Sequence, residues 1–158
     1  MFLPFLFLIW IQIVSGLTEV YSVLAGYPVS YSSRHGNHNN YLFRIEDSSS
    51  QVAWGAIRKD SNQWVQVCSI LPEKWVAIVS QGRPNINQWI TKYRVSYSND
   101  GREWVFVDGG RNFTANSNRN TVVRNNFSAP VLARTIRIHP TAWNGWVAMR
   151  FDAIFIKI

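Results

Sequence analysis

From Trp64 onward, apolar residues recur at every second position in short runs separated by turn residues, and no 3.6-residue period lasts three turns. Trp89, Thr91, Tyr93, Val95 and Tyr97 fall on one face of a predicted strand and Lys92, Arg94 and Ser96 on the other. Ser98-Asn99-Asp100-Gly101 then supplies residues that tolerate positive φ, and Glu103 to Val107 returns as the hairpin partner. Further strands are expected at 64–68, 75–80, 121–127, 134–138 and 147–156. The last would turn Val147, Met149, Phe151, Ala153 and Phe155 to the core. Polar connections at 82–88, 109–120 and 140–145 read as loops. About eight strands in about 140 residues predict an all-β sandwich or jelly roll.

The amino-terminal end follows another pattern. Residues 1–16 carry no charged side chain, and Phe2 to Val14 is apolar apart from Pro4 and Gln12. Such a run falls short of the ~20 residues that span a bilayer. Val14 and Gly16 are small enough for cleavage after Gly16, so residues 1–16 are expected to be a secretory signal peptide and 17–158 a single secreted domain. Residues 21–50 are rich in Ser and Asn, with Tyr27, Tyr31 and Tyr41 interspersed, a composition typical of long recognition loops.

The composition is 47% hydrophobic and 16% charged, which excludes a disordered chain. Sixteen Lys and Arg against nine Asp and Glu give a net charge of +7, spread along the chain and suited to acidic partners. No RNA-binding signature or basic stripe accompanies it, so nucleic acid is not an expected partner. Cys68 has no second cysteine to pair with, and stability must come from packing. Asn112-Phe113-Thr114 and Asn126-Phe127-Ser128 fit the N-glycosylation pattern, as expected of an extracellular protein.

Catalytic signatures are missing: no Gly-x-Ser-x-Gly, phosphate-cradling glycine loop or His-Glu-x-x-His is found, and an enzyme is not expected. His35 and His38 flank Gly36-Asn37 in the one place where two imidazoles could converge. The nearest acids, Glu46 and Asp47, are not at a metal-ligand spacing. No cofactor is expected, and a calcium site built from backbone carbonyls would leave no trace in the sequence. The tryptophans beyond Trp10 mostly begin strands and read as core or core edge.

Ala53-Trp54, Trp64-Val65-Gln66-Val67, Gln81-Gly82-Arg83, Trp89 to Tyr93, Tyr97 to Gly101, Trp104, Ala133 to Ile138 and Pro140 to Asn144 occur in an order and spacing that closely resemble the discoidin domain, or coagulation factor 5/8 type C domain. Arg119 to Val123 and His139 to Gly145 look nearest to the first domain of the slime-mould discoidin lectins. The resemblance implies an eight-stranded antiparallel jelly-roll barrel that binds ligands with loops at one end. By position these loops are Ser33–Leu42, Ile57–Gln63 and Gly82–Gln88. Two departures from the family pattern stand out. The disulfide that joins the domain ends in extracellular members has no cysteines here. Where relatives read Val-Asp-Leu, this chain reads Val67-Cys68-Ser69, which removes an acid expected to pair with an arginine. Arg134 and Arg150 are assigned to the framework by the same resemblance.

The ligand-binding residues that the resemblance implies are His35, Asn37, His38 and Tyr41 of the first loop, Arg58, Asp60 and Asn62 of the second, and Arg83 and Asn85 of the third. Galactose-binding relatives combine His, Arg and Asn with an aromatic platform, a role that would fall here to Tyr41. The expected function is therefore a non-enzymatic adhesion module for a glycan or glycoprotein, with clustering or homo-oligomerisation compensating for one weak site. Adsorption to anionic phospholipid through Arg58, Lys59, Arg83 and Ile86, and capture of a protein partner, are the alternatives.

Overall fold

In the computed structural model, residues 13–14, 16–36, 43–45 and 53–157 are described. Their strands are β1 (Ile13–Val14), β2 (Leu17–Tyr21), β3 (Val29–Tyr31), β4 (Trp54–Gly55), β5 (Val65–Gln81), β6 (Trp89–Ser98), β7 (Val105–Phe106), β8 (Phe113–Thr114), β9 (Val123–Asn144) and β10 (Ala148–Lys157). All pairings are antiparallel, in the order β1-β2-β10-β5-β9-β6-β7, with β3 beside β5, β4 beside β10 and β8 beside β6.

The jelly roll is closed by two long strands that run through both of its layers. The first part of β5 pairs β3 and the last part of β9, with Val65 opposite Ile138; its second part pairs β10 and the first part of β9, with Ser80 opposite Val123. Register shifts between Cys68 and Glu73 and between Trp75 and Ala77 mark where β5 bends. The expected pairs of strands at 64–68 and 75–80, and at 121–127 and 134–138, are thus each one bent strand, and ten strands replace eight. The expected loop at 140–145 is also corrected, because β9 continues to Asn144. Pro140, which has no N–H to donate, is accommodated opposite Tyr93 beside a register shift.

Burial follows the pleat with one phase change. Val147, Met149, Phe151, Ala153 and Phe155 are fully buried, as expected, but so are Ala148 and Ile154, because β10 lies inside the sheet and is covered on both sides. In β6, Ile90, Tyr93 and Val95 are buried, so the predicted alternation holds over Tyr93 to Val95; beyond it Ser96 and Ser98 are buried and Tyr97 is half-buried. The alternation reverses at Ile90, across the register shift between Ile90 and Lys92. The core is organised by aromatic rings: Phe155 lies 5.2 Å from Trp75 and 5.3 Å from Tyr27, and the Trp75 indole N–H donates to the Ala133 carbonyl at 2.7 Å. Burying these large faces is the main favourable term for the fold.

Both ends of β5, the start of β6, the end of β9 and the start of β10 meet at one end of the barrel. The loops after Tyr31, after Gly55 and after Gln81, together with the β9–β10 turn, therefore form one rim.

Candidate functional site

Polar contacts stitch the stems of the first two loops together. Ser33 Oγ donates to Gln63 Oε1 and accepts from the Ile57 N–H, while the Ser33 carbonyl accepts the Trp54 indole N–H at 3.0 Å. The His35 amide donates to the Gly55 carbonyl at 2.8 Å, which brings its exposed imidazole to the rim. In the second loop, Asp60 Oδ1 accepts from the Asn62 amide and from Gln63 Nε2, both at 2.9 Å. The Gln63 bond and then the Asn62 bond hold this carboxyl below its ordinary pKa. One oxygen of Asp60 is thus engaged in shaping the loop, which turns Arg58 and Lys59 to solvent.

The third loop is anchored at Gly82. An added Cβ there would meet the Arg119 backbone at 2.7 Å, and the Gly82 carbonyl accepts Nε of the buried Arg150 at 2.8 Å. Arg150 is thus framework, as expected; Arg134 is instead exposed. The loop closes through the Arg83 amide to the Gln88 carbonyl at 2.9 Å. The Arg83 guanidinium lies over it, donating from Nε to Asn85 Oδ1 at 3.2 Å and from a terminal nitrogen to Gln88 Oε1 at 3.1 Å. Two bonds hold this fork in place with donors to spare.

Between these loops stands the β9–β10 turn. Gly145 has φ +70°, and Asn144 Nδ2 donates to the Asn87 carbonyl at 3.0 Å, which joins the turn to the third loop. On its other side the Trp146 indole N–H donates to the Ala56 carbonyl at 2.7 Å, which joins it to the second. The half-buried Trp146 ring has the His35 ring 6.0 Å away at 55° and Lys59 Nζ 5.9 Å from its centroid. An aromatic face with an imidazole and an ammonium beside it and a guanidinium fork on the adjoining loop can stack a ring and bond its hydroxyls.

Of the residues expected from sequence, His35, Arg58, Asp60, Asn62, Arg83 and Asn85 lie on this rim, whereas Asn37, His38 and Tyr41 fall outside the described residues. Sequence reading missed Trp146 and Asn144, which were assigned to the core edge and to a plain loop. The Asn144-Gly145 dipeptide, a strong hairpin signal, marks the turn that presents Trp146. Away from the rim, Asn112 and Asn126 are both exposed. Among the described residues no three His, Cys, Asp or Glu side chains gather as a metal site.

Residues 28–152 match the family model of the F5/8 type C domain. Discoidin-2 of Dictyostelium discoideum is 34% identical over 133 residues, which are 81% of this chain and 52% of that protein. The solved structure of wild-type discoidin II from the same organism superposes with a TM-score of 0.80 at 26% identity, over 93% of this chain and 61% of that one. The family 32 carbohydrate-binding module of C. perfringens NanJ, solved with galactose, shares the fold at 20% identity, with a TM-score of 0.67 over 86% of this chain and 98% of that one. The chain spans about half the length of the curated discoidins it matches. With the jelly roll, the three-loop rim and the family match in agreement, the chain belongs to the F5/8 type C (discoidin) domain family.

Proposed function

We propose that the chain is a secreted, non-catalytic adhesion module that binds a galactose-type carbohydrate of a cell surface or matrix at the three-loop rim. The observation that carries this reading is the position of Trp146, with the His35 ring 6.0 Å and Lys59 Nζ 5.9 Å from its ring centroid, on a turn hydrogen-bonded to both neighbouring loops. The indole is the stacking surface for the apolar face of the sugar. Arg83 and Asn85 donate to hydroxyls from one side and His35 from the other. The galactose bound by the NanJ module supports the choice of sugar. A rim this shallow gives weak single-site binding, so adhesion depends on clustering, which raises apparent affinity by about 10²–10⁴-fold.

The test is a glycan array probed with artificially clustered protein, with and without calcium, beside His35→Ala and Arg83→Ala. Selective binding to galactose-terminated glycans that falls at least tenfold in both variants, with melting temperatures unchanged, is expected. A blank array from folded, clustered protein overturns the reading. Adsorption to anionic phospholipid remains a second reading because Ile57 and Ile86 are 52% and 40% exposed near Arg58, Lys59 and Arg83. It predicts retention on phosphatidylserine vesicles that fades with salt.

A further inference from the structure

On the flank of the barrel, Arg137 of β9 stands opposite Gln66 of β5 and Ser96 of β6. Its neighbours Ile136 and Ile138 are buried in the core, so Arg137 projects from the outer face. Its guanidinium lies between two indoles, 3.9 Å from the Trp64 ring centroid and 3.6 Å from that of Trp104. Nε donates to Gln66 Oε1 at 2.7 Å, whereas the terminal nitrogens donate to nothing among the described residues. Nor is a described carboxylate within salt-bridge distance; the described ion pairs are Arg111–Asp108 and Arg124–Glu19. Burial lowers the Arg137 pKa from the ordinary arginine value, and the guanidinium is still charged at neutral pH.

The adjoining positions extend this surface. Arg94, opposite His139, stacks over Phe106 at 3.9 Å and has a buried Nε with no hydrogen-bond partner. His139 bonds Ser96 Oγ at 2.7 Å. Burial first, then Arg137 and Arg94, push His139 down to about 4, so it is neutral at pH 7. Two arginines and three aromatic rings thus share one outer face, and among the described residues no carboxylate lies within salt-bridge distance of either arginine. A guanidinium covered on both faces, with Nε already engaged, can be approached only in its own plane along its outer edge. A carboxylate meets that edge with two parallel hydrogen bonds.

We infer that this outer face is a second binding site, separate from the rim, which takes the carboxylate of an acidic saccharide, with Arg137 as its anchor. The carboxylate lies in the plane of the guanidinium, and the partly exposed Trp64 and Trp104 and the exposed Phe106 offer an apolar border to the pyranose ring. Cys68 sits on the same face, opposite Thr135 and two residues along β5 from Gln66, with the Thr135 hydroxyl 3.7 Å from its Sγ.

Cys68→Asp tests the inference because it places a fixed carboxylate beside the fork. The full chain, ¹⁵N-labelled, is titrated with tetragalacturonate, with neutral galactotetraose and with tetraglutamate, while the indole N–H signals are followed. Tetragalacturonate is expected to shift Trp64 and Trp104, and its affinity to fall at least tenfold in Cys68→Asp and in Arg137→Lys, which keeps the charge and loses the fork. The melting temperature of Cys68→Asp is expected to be no lower than that of the parent. Affinity unchanged in Cys68→Asp, or shifts at Trp146 in place of Trp64 and Trp104, overturns the site. Tetraglutamate binding as tightly as tetragalacturonate overturns the saccharide in favour of an acidic protein partner. Failure of the rim proposal would show as loss of galactose binding alone and leaves these readings unaffected.

Discussion

His139 shows how one side chain takes its properties from neighbours that the sequence does not place beside it. Between Ile138 and Pro140 it reads as a strand-end residue, yet it lies within β9, beside Phe106 and opposite Arg94. With its pKa at about 4 in the folded state against 6.5 ordinarily, the native protein binds fewer protons than the unfolded chain between those values. Its contribution is therefore complete above about pH 6.5 and is lost as pH falls towards 4. Full linkage for such a shift is about 3 kcal/mol. Solvent screening of the half-buried ring reduces the expected loss to about 1–2 kcal/mol. His139→Gln should flatten this limb of the stability–pH curve, measured by urea unfolding from pH 7 to pH 4. An unchanged acid slope would place the effect elsewhere. The buried Asp152 runs the other way: burial raises it to about 7 against the opposing bonds from Val23, Leu24 and Ser22.

The Ser98–Gly101 hairpin was legible because turn chemistry and alternation are local, and Val105–Phe106 pairs back on Tyr97 and Ser96 as expected. The phase reversal of β6 at Ile90 was not, since it arises from a bulge against β9, a strand about fifty residues away in sequence. β2, β3 and β4 escaped notice because they are short and their placement depends on β10 and β5. The β9–β10 turn binds two loops into one rim, and its Gly145 is constrained twice. Its φ is positive, and an added Cβ would meet the Asn87 carbonyl at 2.7 Å. Gly145→Ala is expected to cost about 1–2 kcal/mol in backbone conformation. It should also displace the third loop from Asn144 and weaken rim binding about fivefold or more. The first effect is read as a lower urea midpoint at unchanged slope, the second in a glycan titration at a temperature where the variant remains folded.

The ends of the domain are held together without a disulfide. Residues Thr18 to Tyr21 of β2 pair with Lys157 to Ile154 of β10, and Arg124 reaches Glu19 with two hydrogen bonds of 2.9 and 2.6 Å. That contact, chiefly the hydrogen bond, holds Glu19 below its ordinary pKa. Ile13–Val14 pairs with the start of β2 through a short turn at Gly16. The proposed cleavage after Gly16 would remove this two-residue strand and leave the β2–β10 ladder whole. On the proposed secretory reading, the mature polypeptide is expected to begin at Leu17, read by intact mass. Its melting temperature should fall within about 2 °C of that of the uncut chain, since a two-residue edge pair contributes little. A mature start beyond Tyr21 would break the closure and contradict this expectation.

By itself, the sequence determined the features that depend on near neighbours: the β class from its period of two, the hairpin from Asn-Asp-Gly, and the family from spaced signatures. The family resemblance further implied that the loops bearing His35, Arg83 and Asn85 share one end of the barrel. Tertiary structure decided which strands are continuous, where the pleat changes phase, that Trp146 faces the rim, and that Arg137 lies between Trp64 and Trp104. The physical reason is range. Alternation and turn chemistry act over a few residues, whereas the surroundings of Trp146 and Arg137 are built by strands and loops that only the closed barrel brings together.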